Sequence, residues 1–482
     1  MPIQTLFSSK RLIWAWIAVA FLLTVPVGAL LRFHHLFDYE RDLVQIPALY
    51  LAGALVFSGL VFLVLQPLLE HSSRLSKQAA RNLFVFILAF GLLARVAMFF
   101  TTPALEDDYY RYMWDGSVTA NLLNPFAYAP GNAGDEGVPV RLDELAKQAG
   151  LVHERINHAN LKTVYPPLAQ GAFAVAYFIK PFSLTAWRAV CLTGEVATLF
   201  LILALLRATG RSPEWVALYW WNPIVIKEMI NSAHMEAVLM PFVLAALLAA
   251  ARRRHLLATI LIGLGAGVKL WPIVLAPLVL RPLLNQPRKL FLALSVLMAL
   301  CALWGLPLIL GGLDESSGFL AYATKWKTNS ALSAALTLFD SRLLQPLGMP
   351  PELSNRLLRL SLGLVLSGFV FWKSMVPVKG IDDLIARASA IIIALFLLSP
   401  AQFPWYLVWI LPMMPLYPVS AMLLASALVP LYYTSFYFYA LGTYHVFTSQ
   451  IVWVIWIPIW GMLFFEIVEA HNRLDYRRSR DD

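Results

Sequence analysis

The chain is 482 residues long, 60% hydrophobic and only 13% charged, with a mean hydropathy of +0.68. A soluble domain carries about 25% charged residues, so roughly half the usual charge is missing, which excludes an ordinary globular protein and indicates an all-α polytopic membrane protein. The net charge of +9 does not imply nucleic-acid binding, because the Lys and Arg residues are spread over short links between apolar runs, as in the cytoplasmic loops of membrane proteins.

Lys10 and Arg11 precede an apolar run too long for a signal-peptide core, so residues 12–31 are expected to be a retained first span. A second span is expected over about residues 44–69. The link after it carries Arg74, Lys77 and Arg81, which places it on the cytoplasmic side. The third span, about residues 83–100, then delivers residues 106–164 to the opposite face. Cys191 and Cys301 both lie in apolar runs and suggest neither a disulfide framework nor a metal site.

The segment that follows the third span is the only long polar one. It opens EDDYYRYMWDGSVTANLLNPFAYAP, with Glu106, Asp107, Asp108, Arg111 and Asp115 packed among aromatic rings. Charge that dense at the end of a span is costly unless it faces water and has a use. Two adjacent carboxylates repel, so one is expected to hold its proton more tightly than the other, a pairing suited to general base catalysis. A salt bridge to Arg111 is the plainer alternative. Tyr109, Tyr110, Tyr112, Trp114, Phe126 and Tyr128 fit an interfacial belt or a sugar-stacking surface. Residues 141–149 read as a short amphipathic helix, and Pro166-Pro167 fixes an extended lead into the next apolar run.

Further on, WNPIVIKEMINSAHMEA sets Lys227, Glu228, Asn231, His234 and Glu236 inside an apolar run. On a regular helix Lys227, Asn231 and His234 would share a face. Lys269 sits in GVKLWP between the basic groups at 252–254 and 281–289, and a break at Trp271-Pro272 would keep both groups on the cytoplasmic side. The proline-rich FPWYLVW region suggests another break. Lys325 and Lys327 are loop charges that could meet a phosphate. Ionisable groups inside spans usually face a cavity and need a partner, either a carboxylate or a bound phosphate. No phosphate-binding glycine loop, zinc-ligand spacing or GxSxG elbow occurs.

The pattern DDYYRYMWDG…NPFAYAP followed by INHANLKTVYPPLAQ resembles the GT-C superfamily of integral-membrane glycosyltransferases, and within it the bacterial polyprenyl-phosphate-mannose-dependent mannosyltransferases. WNPIVIKEMINSAHMEA, GAGVKLWPIVLAPLVL and LSPAQFPWYLVWILP are similar to polar-in-apolar signatures of that group, so the likeness covers about residues 83–418. An extra N-terminal span departs from the group's usual pattern.

The resemblance implies a GT-C-like bundle of ten to fourteen transmembrane helices with a long extracytoplasmic loop carrying juxtamembrane helices. Residues 1–82 would supply N-terminal spans, 101–165 the catalytic loop, and 166–470 the remaining spans and substrate cavity, all in one integral-membrane domain. It further implies inverting transfer of a hexose, with mannose first, from a polyprenyl-phosphate sugar to a glycolipid, polysaccharide or protein, without a metal or other cofactor. Asp107 or Asp108 would be the base, with Asp108 favoured. Glu106, Arg111, Tyr112, Asp115, Asn124, His158, Tyr165, Lys227, His234, Glu236 and Lys269 are the candidate phosphate and sugar contacts. The expected site is the bacterial cytoplasmic membrane, with both termini cytoplasmic. A lipid or solute transporter is the rival class, set aside because no inverted repeat is visible. A ligase using a pyrophosphate-linked donor would have a basic outer loop where this one is acidic.

Overall fold

In a bilayer every backbone polar group must be satisfied within the chain, which leaves helices and closed barrels. This chain uses helices. The structure, a computed structural model, describes residues 9–33, 45–73 and 75–481. Arg74 and the side chain of Lys10, both named above, and the side chains of the basic tail at 473–480, a further expected cytoplasmic mark, lie outside the described residues. Among those described, the only β pairing is a parallel bridge between Thr328 and Ala401.

Among the described residues, seven helices are long and apolar enough to cross a membrane: Gln45–Ser72, Lys77–Phe99, Leu184–Ala208, Pro287–Leu310, Pro351–Met375, Ser420–Ala440 and Tyr444–Asn472. Arg11–Thr24, Pro167–Ile179, Glu236–Ala251, His255–Val268 and Trp271–Leu283 are shorter apolar helices. Pro287–Leu310 and Pro351–Met375 bury only 11% of their most apolar stretch inside the protein, so their Leu and Phe side chains face outward, as lipid requires. The chain is an all-α integral membrane protein.

The polar segment after Lys77–Phe99 is ordered. It carries α-helices at Asp108–Ala120 and Val140–Ala149 and a single helical turn at Leu151–Glu154. Asp108–Ala120 lies against Pro167–Ile179 at a distance that only glycine permits: a Cβ on Gly116 would come 2.5 Å from the Phe173 carbonyl oxygen. That closeness lets Tyr112 stack on Phe173, ring centroids 4.8 Å apart. Lys162 fastens the same segment to a neighbouring loop through Asp314, at 2.6 Å, and the Gly311 carbonyl.

Two expected breaks are present. Helix His255–Val268 stops at Lys269, whose backbone is extended, and residues 271–280 turn back against that helix. Prolines divide residues 404–413 into short tight turns at Pro404–Trp409 and Leu411–Met413. The shared helical face for Lys227, Asn231 and His234 is not formed. Lys227–Asn231 is a π-turn, and Ala233 follows at φ +57°, so the chain bends before His234. Asn231 therefore points away from Lys227.

The spans are keyed together by a buried ion pair. Arg95 donates to Glu195 at 2.9 and 3.2 Å and to the Trp220 carbonyl at 2.8 Å, and it lies 3.5 Å over the Trp220 ring. The hydroxyl of Tyr219 donates to the same carboxylate. Neither charge has any solvent exposure. Removing one member of such a pair strands the other, at about 3–5 kcal/mol. Glu195→Ala is therefore expected to lower the thermal unfolding temperature of the purified protein sharply. Glu195→Ala with unchanged melting in detergent would show that Arg95 finds another partner.

Candidate functional site

Three acidic residues enter the interior because the loop before them is clamped. The Asn231 side-chain amide donates to Thr101 Oγ1 at 2.7 Å and to the Thr102 carbonyl at 2.8 Å, and its oxygen accepts from the Ala104 amide at 2.8 Å. Arg188, on helix Leu184–Ala208, donates to the carbonyls of Phe99 and Thr101 at 2.8 and 2.7 Å, and also to that of Asn231. Leu105 then adopts φ +55°, a left-handed conformation costly for a branched residue, and hands the chain to Glu106.

Glu106 occupies the inner half of the cluster, its side chain 6% exposed. Lys227 Nζ is 3.6 Å from Glu106 Oε1 and 3.4 Å from Glu228 Oε2. His234 Nε2 lies 3.7 Å from Glu106 Oε2 and 3.4 Å from Glu228 Oε2. The hydroxyl of Tyr433, 327 residues along the chain, is 2.6 Å from Glu228 Oε1 and 3.1 Å from Glu106 Oε1, and accepts a hydrogen bond from Lys227. His234 is held flat against Trp405, centroids 4.2 Å apart.

Asp107 and Asp108 form the outer half. One amide group serves both: Asn157 Nδ2 donates to Asp107 Oδ1 at 2.8 Å and to Asp108 Oδ1 at 2.9 Å. The other Asp108 oxygen is 3.4 Å from the Tyr112 hydroxyl and 3.9 Å from His234 Nδ1. Burial, and then the neighbouring Asp108 charge, push Asp107 up to about 6 despite the opposing Asn157 bond. Asp108 is also raised by burial, with Asn157 pulling it back. Burial holds Glu106 well above the ordinary carboxylate range, against the attraction of Lys227.

A third group borders Asp108. Lys269 Nζ contacts Glu236 Oε1 at 2.5 Å and lies 4.0 Å over the Tyr406 ring and 5.2 Å over Trp409. The ammonium and the Glu236 carboxylate both act electrostatically on Asp108, as does His158. His158, at φ +48°, packs edge-on against Trp326. Tyr165 packs edge-on against Tyr112 at 5.1 Å.

Glu106, Asp107, Asp108, Tyr112, His158, Tyr165, Lys227, His234, Glu236 and Lys269 are thus gathered in one cluster. Arg111, Asp115 and Asn124 are engaged elsewhere. Arg111 binds Asp115 at 2.8 Å and the Leu161 carbonyl at 2.9 Å, while Asp115 also accepts from Thr163 and Gln170. That network braces the loop and leaves the acidic triplet without Arg111. Asn124 bonds the Pro307 carbonyl and the Phe126 amide. Lys325 and Lys327 are exposed. Sequence reasoning missed Asn157 and Tyr433. Asn157 stood in a quoted motif, but Tyr433 lies in an aromatic run that carries no polar signal.

Carboxylates, lysines and a histidine buried together among apolar helices are the kind of cluster that serves as the active site of a membrane enzyme. The family model described as alpha-(1->6)-mannopyranosyltransferase, N-terminal domain, matches residues 14–285, more than half of the chain, and the chain belongs to that family. It is a mannosyl-transferring glycosyltransferase. The match takes in the N-terminal helices, so they are part of the family's own region. No curated protein and no solved structure matches the chain.

Asn157 is the single donor common to both outer carboxylates. Asn157→Ala removes hydrogen bonds to charged groups worth about 1.5–3 kcal/mol. Mannosyl transfer is expected to fall about tenfold to a hundredfold with melting temperature little changed, measured as turnover of purified protein. Undiminished turnover would remove Asn157 from the site.

Proposed function

We propose that this mannosyltransferase moves mannose from a polyprenyl-phosphate donor to an acceptor hydroxyl in one inverting displacement, with Asp108 as the general base. The observation that carries this reading is the placement of Asp108. Its side chain keeps 23% exposure, against 6% for Glu106, while it borders Tyr112, His234 and the Lys269–Glu236 pair. A base must reach both an incoming hydroxyl and the reacting carbon, and Asp108, more open than Glu106, also faces Tyr112 and His234. Asp107, tied to the same amide, is the second choice.

In this reading the acceptor oxygen attacks the anomeric carbon as the bond to the phosphate oxygen breaks. The electron pair leaves with the phosphate and the hydroxyl proton passes to Asp108. Lys269 and Lys227 stabilise the departing charge in a poorly solvated site, where such interactions are strong. The family's description names alpha-(1->6) transfer, so the acceptor would present a primary 6-hydroxyl, and inversion to an α product requires a β-linked donor. The acceptor is a glycolipid, a polysaccharide or a protein glycan.

The isoprenoid tail would remain in the bilayer beside the outward-facing Leu and Phe residues. The basic turns at 252–254 and 281–289 would lie in the cytoplasm with both termini, and the carboxylates on the far side of the cytoplasmic membrane. No nucleotide is then required as donor.

Asp108→Asn is expected to lower transfer from polyprenyl-phosphate mannose by about 10²–10⁴-fold, the usual contribution of a general base, with the elution profile and donor binding retained. Asp107→Asn is expected to cost much less. The anomeric configuration of the product, read by NMR, tests inversion. Wild-type turnover in Asp108→Asn would refute the assignment, and a large loss confined to Asp107→Asn would move the base to its neighbour.

A further inference from the structure

The inner half of the cluster is poorly satisfied by the groups that line it. His234 Nε2 is fully buried with no hydrogen-bond partner, although it faces Glu228 Oε2 at 3.4 Å and Glu106 Oε2 at 3.7 Å. Lys227 approaches the same two side chains at 3.4 and 3.6 Å, longer than the roughly 2.7–2.9 Å of a charge-assisted hydrogen bond. Its close partner is the Tyr433 hydroxyl. Around this corner the carboxylates of Glu106, Asp107, Asp108, Glu228 and Glu236 outnumber the ammonium groups of Lys227 and Lys269.

We infer that Glu106, Glu228 and His234 form a binding site for a divalent cation such as Zn²⁺ or Mn²⁺. One ligand atom from each residue lies within 4.8 Å of the others. Ligands about 2.1 Å from a tetrahedral ion stand about 3.4 Å apart, and the His234–Glu228 and His234–Glu106 separations are 3.4 and 3.7 Å. One imidazole and two carboxylates suit a borderline ion. Three protein ligands with an open fourth position is the pattern of a catalytic rather than a closed structural site.

The groups behind the ligands are in place. The other ring nitrogen of His234 lies 3.4 Å from the Tyr112 hydroxyl, and Trp405 fixes the plane of the ring. Tyr433 holds Oε1 of both glutamates, leaving Oε2 of each turned toward His234. Such outer contacts orient metal ligands and set their basicity. Lys227 is the internal competitor for the same carboxylates. The role of the ion rests on the transfer reading above: it would take a phosphate oxygen of the donor and stabilise the charge left when the bond to the sugar breaks. This runs against the metal-free transfer that the resemblance implies.

The test needs no sugar donor. Full-length protein in detergent, stripped with a chelator, is dialysed against Zn²⁺ or Mn²⁺ and its metal content measured. Retention of about one ion per chain is expected, with affinity at least tenfold weaker in Glu228→Gln and His234→Gln. Lys227→Met removes the competing charge, so it is expected to bind the ion more tightly. Circular dichroism and elution volume establish that each variant is folded.

Absence of stoichiometric ion in folded wild type, or equal retention in His234→Gln, would overturn the site, as would weaker binding in Lys227→Met. Mannosyl transfer, assayed separately, that persists in chelated, metal-free protein would overturn the role given to the ion while leaving Asp108 as base untouched. Loss of transfer in Asp108→Asn with metal still bound would separate the two claims.

Discussion

The grip of Asn231 on residues 101–104 is the contact on which the arrangement of charge depends. The π-turn at Lys227–Asn231 projects Lys227 and Glu228 toward Glu106 and Tyr433 and turns the Asn231 amide back to the loop before Glu106. Both polar segments are therefore positioned by one local distortion. A regular α-helix there would put Asn231 on the face of Lys227 and leave the Thr102 carbonyl and Ala104 amide without this partner. Buried backbone groups left so are expensive. The distortion is the cheaper arrangement, and π-turns are frequent at functional sites.

From that contact the cluster divides into an enclosed inner half and a wetter outer half. Glu106, Glu228, Lys227 and His234 are shut in behind Tyr433 and Trp405, while Asp107 and Asp108 share Asn157 at the rim. Carboxylates so close cannot all carry charge without partners, and the protein supplies partners from distant parts of the chain. Asn157 comes from the polar segment, Lys227 from the π-turn and Tyr433 from near the C-terminus. The site cannot assemble until the last spans have packed against the first, so it is a product of tertiary structure and not of any one motif.

This explains what could be read from the sequence. The all-helical membrane class follows from composition, and the breaks at Lys269 and Pro404 follow from Pro and Gly among apolar residues, which are local signals. The acidic triplet stood out because charge beside a span is rare. Asn231 and His234 were visible as polar residues in an apolar run, but helical periodicity gave them the wrong geometry, since a π-turn has no periodic signature. Arg111 and Asp115 drew notice by the same density of charge, yet their charges are consumed by each other and by Thr163 and Gln170. Tyr433 was hidden because an aromatic residue in an aromatic run is indistinguishable from packing until its hydroxyl meets two carboxylates.

The aromatic residues show a second division of labour. Trp405 stacks on His234 and on Phe403, while Trp409 stacks on Tyr406 and on Trp271. These rings have their faces covered and are almost fully buried, so they fix the imidazole and shape the environment of Lys269. A cation over an aromatic face is stabilised without a full opposing charge, which keeps Lys269 electropositive although Glu236 contacts it. The deep rings therefore set the electrostatics around His234 and Lys269.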